Sequence, residues 1–261
     1  MEVNEVPRVV DHDPEGRGAL TVWVHPGWEK RLPWLAQGTT GRSSEGPSRD
    51  FALFGGNGPS GARANWLHLT EKLGFPSVAH ARQVHGRDVL LHRQAPPGLH
   101  LGSDADGHLT PLSGLLMAVT VADCVPVFLV DPEGKRGGVL HAGWRGVAAG
   151  VLERGISILT EGMGSRSQDL LLHLGPSICG ECYEVGPEVH GFLGLPVPDT
   201  PRPVDLRSLL LERGREAGVR PGNITRSGFC TLCGGSPFFS HRGGDPERQV
   251  GFLGFRRGGW E

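Results

Sequence analysis

The chain has 261 residues, with 26 basic and 28 acidic side chains, a formal charge of −2 and 38% hydrophobic residues. That length is ample for burying a core, and a near-neutral chain with no basic run interleaved with aromatics excludes nucleic acid as an expected partner. The first sixteen residues are acidic and lack the order of a signal peptide, and no apolar run nears the roughly 18 residues of a membrane span, so no membrane partner is expected and the location reads as cytoplasmic. Five cysteines in such a compartment point to metal or catalysis before disulfides.

In chain order, residues 19–24 read as a strand. Residues 38–50 form a Gly/Ser/Thr loop carrying Arg42 and Arg49, which can offer backbone N–H groups and a guanidinium to a phosphate, although loops of this composition are most often solvated turns. Residues 61–73 read as a short helix with Trp66, Leu67, Leu69 and Leu73 inward, stopped by Gly74 and Pro76. His85, followed by Gly86 and a short apolar run, sits at a strand or loop edge where its ring can face a cleft; a lone histidine there is more often a satisfied polar residue. Asp104 and Asp106 read as turn chemistry, too few carboxylates for calcium.

The most informative stretch is central. Residues 116–130 and 138–142 are rich in Val, Leu and Ala and read as buried strands around the turn signal Asp131-Pro132-Glu133-Gly134. A hairpin centred between Pro132 and Glu133 sets Cys124 directly opposite His141, with Cβ atoms about 4.5–5.5 Å apart. That distance suits two ligands of one metal or a thiolate and its base, whereas a one-residue slip puts the pair on opposite faces. Pro126 demands an edge or a bulge. Gly143 and Gly146 then turn the chain into a helix over 147–164 that buries Val147, Val151, Ile158 and Leu159, and Arg145 at its start either faces an anion near His141 or is simply exposed.

Beyond it come a strand at 169–174, a helix over 204–217 and a strand-like pair at 238–240 and 249–253. Two Cys-x-x-Cys pairs, Cys179/Cys182 and Cys230/Cys233, have the spacing of a structural zinc site, with free thiols or a disulfide as alternatives. No repeat or linker divides residues 1–261, so one domain is expected.

Taken together, these residues resemble the YfiH-like family, also called laccase-domain or multicopper polyphenol oxidase-like proteins. The match runs in order through Gln83-Val84-His85-Gly86, Ala105-Asp106 with Thr110, Thr120 with Ala122-Asp123-Cys124 and Pro126-Val127, and His141-Ala142-Gly143-Trp144-Arg145-Gly146. It continues through Gly175-Pro176-Ser177-Ile178, Cys182-Tyr183-Glu184-Val185-Gly186, Cys230-Thr231 and Phe238-Phe239-Ser240-His241-Arg242, and is strongest over residues 38–255. The resemblance implies a single α/β (α+β) domain of mixed β-sheets flanked by helices, with a metal site made by His85, Cys124 and His141. Two imidazoles and a thiolate suit Zn2+, with Cu2+ possible, and leave a position open. A true laccase needs several coppers and many more histidines.

The same resemblance implies a zinc-dependent purine nucleoside phosphorylase acting on adenosine, inosine, guanosine and methylthioadenosine, with adenosine deaminase activity. Its partners are then a purine nucleoside and phosphate, in a monomer or homodimer. Deamination calls for zinc-activated water at the purine C6, and phosphorolysis for cations around phosphate, for which Arg42 and Arg145, with Gln83 as a further substrate contact, are the candidates. Asp123 is the nearest acid or base, or else it orients a ligand histidine. The chain departs from the family at Thr39-Thr40-Gly41-Arg42, where Phe-Ser-Thr-Arg is usual, and at His241-Arg242-Gly243, where Tyr-Arg-Arg is usual. Two other readings stay open: a Cys-His hydrolase or amidase with Cys124 as nucleophile and His141 as base, acting on cell-wall precursors, and a copper polyphenol oxidase, which needs stoichiometric copper.

Overall fold

The apolar runs of the sequence assemble into two seven-stranded mixed sheets in a computed structural model that describes residues 1–11, 20–43, 49–54 and 59–258. The first sheet has the order Glu2–Val3, Ile224–Ser227, Leu171–Leu174, Val125–Asp131, Arg136–Ala142, Gly107–Thr110, Val89–Leu91. The second runs Val6–Asp11, Leu20–Val24, Leu35–Thr40, Gln249–Phe255, Leu115–Val121, Ser77–Ala81, Gly98–Gly102. Both contain parallel and antiparallel neighbours, so the expected mixed α/β class is what the chain adopts. No helix among the described residues is long and apolar enough to cross a membrane.

Side chains alternate across a strand, and the two faces of each sheet find different partners. Along Val125–Asp131, Val127 and Leu129 pack with Leu152, Ile156 and Leu210 of the helices Val151–Ser157 and Leu206–Glu216. Phe128 and Val130 point the other way and share a core with Met117 and Val119 of Leu115–Val121 and with Leu253 of Gln249–Phe255. The alternate residues Leu116 and Ala118 lie against Trp66 and Leu69 of the helix Pro59–Lys72. The order is therefore helix, sheet, sheet, helix, and the strands of the inter-sheet core are buried on both faces, which is why they read as nearly continuous apolar runs.

Three expected elements differ. The run 116–130 is not one strand: it breaks at Ala122-Asp123-Cys124, where Asp123 adopts φ 87° and the chain leaves the second sheet for the first. Aspartate tolerates that left-handed backbone better than most residues. The helix expected over 147–164 is split at Gly150, with φ 86°, into Trp144–Ala149 and Val151–Ser157, followed by a wide turn through Ile158–Gly162. Val147, Val151, Ile158 and Leu159 are buried as expected. Residues 238–240 are not a strand, yet the Gln249 amide accepts from Phe239 N–H and donates to Phe239 C=O, so a side chain substitutes for a ladder bond. In the helix Pro59–Lys72 Leu67 is 45% exposed, because Trp66, Leu69 and Leu73 define the buried stripe and Leu67 lies off it.

Candidate metal centre and its cavities

The hairpin that carries the centre has a four-residue turn. Asp131 pairs with Arg136 and Pro126 with His141, so Cys124 and His141 are not directly opposed. The Asp131 carboxylate accepts hydrogen bonds from the Glu133 and Gly134 N–H groups at 3.1 and 2.9 Å, and Lys135 takes φ 46°. The added residues shift the register by two positions, and a shift of two keeps both side chains on one face where a shift of one would not. Cys124, one residue before its strand, therefore still approaches His141 diagonally. His85 joins from the loop after Ser77–Ala81, itself at φ 59°. The ligand atoms of His85, Cys124 and His141 all lie within 4.8 Å of one another.

Asp106 holds this set together. It is fully buried; its carboxylate accepts from the backbone N–H groups of Val84, His85 and Gly86 at 3.3, 2.9 and 2.6 Å and pairs with His141 Nδ1 at 2.8 Å. One side chain thus fixes the loop that presents His85 and leaves His141 Nε2 to face Cys124, the carboxylate–histidine arrangement common behind metal ligands. Burial raises the Asp106 carboxyl, but the bonds from His141, Gly86 and His85 outweigh it and hold it below the ordinary carboxylate range. The reading of Asp106 as plain turn chemistry is overturned. Its sequence signal was the Ala105-Asp106 match to the family; spacing alone carried none.

Gly143 leaves room for the ligands: a Cβ there would lie 2.9 Å from Cys124 Sγ and 3.0 Å from His85 Cδ2. Burial pushes the Cys124 thiol up, but the charge of His141 and hydrogen bonds from both imidazoles bring it down to about 6. Burial lowers His141, and the Cys124 thiolate and Asp106 more than reverse this, raising it to about 9. A thiolate ready to bind a cation is the result.

His85 and Cys124 line two adjoining cavities, and His141 lines the larger of them. The larger, about 620 Å³, is lined by Phe54, His80, Gln83, His241 and Arg248 besides the three ligands. The smaller, about 310 Å³, is lined by Asp123, Trp144, Arg145, Tyr183 and Arg242 together with His85 and Cys124. Arg145 lies over the Trp144 ring at 4.2 Å and Arg242 over Tyr183 at 5.3 Å. Two guanidinium groups on aromatic faces therefore border one small space.

Other expected site residues are placed differently. Arg42 lines neither cavity; it pairs with Asp245 at 2.5 Å, donates to Phe238 C=O and stacks on Phe239. Residues 44–48 of its loop lie outside the described residues. Gln83 lines the larger cavity, but its amide is engaged with the N–H, hydroxyl and C=O of Thr120. Asp123 does not orient a ligand histidine: its carboxylate accepts from Thr231 Oγ1 at 2.6 Å and Arg242 N–H at 2.7 Å, and Asp106 has the orienting role. Arg242 was visible in the sequence only as part of a family match.

Residues 37–255 match the family model described as multi-copper polyphenol oxidoreductase laccase. The chain belongs to this laccase-like family. Members similar to it include a purine nucleoside phosphorylase of Xylella fastidiosa, 35% identical over 200 residues that cover 72% of this chain and 75% of the relative. Another is the purine nucleoside phosphorylase YlmD of Geobacillus stearothermophilus, 32% identical over 84% of this chain and 88% of that one. The crystal structure of YlmD from Geobacillus stearothermophilus superposes with a TM-score of 0.80 at 26% identity, covering 96% of this chain and all of that one. Despite the family's description, ligand atoms of three or more His, Cys, Asp or Glu residues converge at only two places among the described residues, and the second is all cysteine. A multicopper array needs more.

Proposed function

We propose that the chain, as one domain over residues 1–261, is a zinc-dependent purine nucleoside phosphorylase that takes adenosine, inosine, guanosine and methylthioadenosine and also deaminates adenosine. The observation that carries this reading is the convergence of His85, Cys124 and His141, organised by Asp106, where the two cavities meet. The similarity to proteins named purine nucleoside phosphorylase supports it. Two imidazoles and one thiolate, with His141 presenting Nε2, are a donor set that fits zinc. Bound there, zinc would act as a Lewis acid on the substrate.

The chain's own residues supply the rest. Arg145 and Arg242 hold phosphate in the smaller cavity, while the nucleoside occupies the larger one, with its ring against Phe54 and His80. A phosphate oxygen then bonds to the ribose C1′ as the bond from C1′ to the purine nitrogen breaks, the electron pair leaving on the purine nitrogen. That nitrogen takes from water the proton that the phosphate gives up to it. Guanidinium groups beside the phosphate steady the charge of that step without moving a proton. Asp123, with both carboxylate oxygens already accepting hydrogen bonds, anchors the wall between Thr231 and Arg242. The test is product analysis on zinc-loaded protein: free base and ribose 1-phosphate should form from adenosine or inosine only when phosphate is present, and no base in the presence of phosphate refutes the proposal.

One observation favours a second reading. A thiol brought down to about 6 beside an imidazole raised to about 9 is the pairing that cysteine hydrolases use. Metal analysis separates the two. Zinc lost on Cys124→Ala supports the phosphorylase, whereas metal-free protein alkylated at Cys124 supports an amidase.

A further inference from the structure

Cys179/Cys182 and Cys230/Cys233 lie far apart in the chain, in Gly-rich segments. The fold brings all four Sγ atoms within 4.8 Å of one another. We propose that Cys179, Cys182, Cys230 and Cys233 hold a structural zinc ion, separate from the His85–Cys124–His141 centre. A tetrahedral zinc with Zn–S bonds of about 2.3 Å has sulfurs about 3.8 Å apart, and Cys179 Sγ stands 3.9 Å from Cys233 Sγ. A disulfide needs about 2.05 Å, and all four cysteines are free.

The backbone is arranged for a thiolate cluster. Cys230 Sγ accepts from the N–H groups of Cys179, Leu232 and Cys233 at 3.3, 3.3 and 3.5 Å. Such bonds disperse the charge that several thiolates place on one ion, and four soft sulfur donors select zinc over magnesium or calcium. The described residues 228–236 contain no helix or strand, and besides the bond from Cys179 N–H to Cys230 Sγ the two segments touch through the Ser177–Cys230 bridge and the bond from Thr231 N–H to Ser177 C=O. An ion clasping both would tie the two segments together directly.

Its effect reaches the neighbouring site. Thr231 donates to the Asp123 side chain, and Ile178 N–H donates to the Asp123 C=O. The two clasped loops therefore grip the chain one residue before Cys124 from both sides and set the wall of the smaller cavity, which Ile178 and Asp123 line. The inference does not rest on the nucleoside reading, since it concerns metal content and not turnover.

The test counts metal in full-length protein purified without added chelator. Wild type should carry two zinc ions per chain, falling to one in Cys124→Ala and to one in Cys179→Ser/Cys230→Ser. Because the second variant can misfold, Cys124→Ala, which leaves the cluster whole, is also reconstituted with cobalt(II). It should bind one cobalt with the intense thiolate-to-cobalt charge transfer of a four-sulfur site. Cys124→Ala protein that binds no cobalt, or wild type whose unreduced mass is four hydrogens short through two disulfides, overturns the proposal. Two zinc ions without phosphorolysis would instead leave it standing and remove the proposed activity.

Discussion

Replacing Asp106 by Asn keeps the side chain's shape and removes one acceptor. The carboxylate takes four hydrogen bonds, Oδ1 from His85 N–H and His141 Nδ1 and Oδ2 from Val84 and Gly86 N–H. An amide has a single oxygen, so in either orientation its NH2 group faces two donors. If the oxygen faces His141, the tautomer survives and the Val84 and Gly86 N–H groups are left unpaired; if the NH2 faces His141, the ring must present the other nitrogen. Each orphaned donor costs about 1–3 kcal/mol where water cannot reach it. One metal ligand is displaced in both cases, and losing a partner of this kind typically lowers metal affinity about 10–100-fold, or about 1.4–2.7 kcal/mol. Zinc affinity is measured by competition with a chromogenic chelator, with circular dichroism to confirm the fold. A folded Asp106→Asn protein that binds zinc within about twofold of wild type would show that Asp106 does not organise the centre.

Gly143→Ala puts a methyl 2.9 Å from Cys124 Sγ and 3.0 Å from His85 Cδ2, so zinc affinity should fall at least about 10-fold while the metal-free protein unfolds within about 1 kcal/mol of wild type. Charge-assisted bonds are worth about 1.5–3 kcal/mol, so Arg145→Gln should raise the KM for phosphate about 10-fold or more; Arg42→Gln, whose arginine pairs with Asp245, should change it less than about threefold. An equal rise in both would misplace the phosphate. Burial above all, with the charge of His141, brings His80 from 6.5 down to about 4 despite its bond to Ala118 C=O. Its folded value lies below its unfolded one, so this stability is fully present above about pH 6.5 and is lost as pH falls toward 4, a total of about 3 kcal/mol. Urea unfolding of His80→Gln at several pH values should show a shallower acid limb than wild type, and parallel limbs would refute the assignment.

Continuous Val-, Leu- and Ala-rich runs and turn chemistry were enough to locate the central hairpin, the burial of its strands and the approach of Cys124 to His141. They missed the register because Asp131, seen as a turn opener, closes a wider turn through its own carboxylate. That error did no harm to the face, since two residues are a full strand period. The sheet switch at Asp123 was hidden for another reason: an apolar run buried on both faces looks alike on either side of a left-handed residue. His85 came only through family resemblance, because its approach depends on Asp106 gathering three consecutive N–H groups, a long-range contact without a local sequence signature. Arg42 failed as a cavity residue because Asp245, some two hundred positions away, reaches it first.

If the proposed activity is right, phosphate, and not water alone, cleaves a nucleoside at this centre. Zinc-loaded protein incubated with inosine, with and without phosphate, tests it by chromatography of both products. Hypoxanthine and ribose 1-phosphate should form in equal amounts, dependent on phosphate and abolished in Cys124→Ala. Intact inosine in the presence of phosphate, or base release that ignores phosphate, would contradict it.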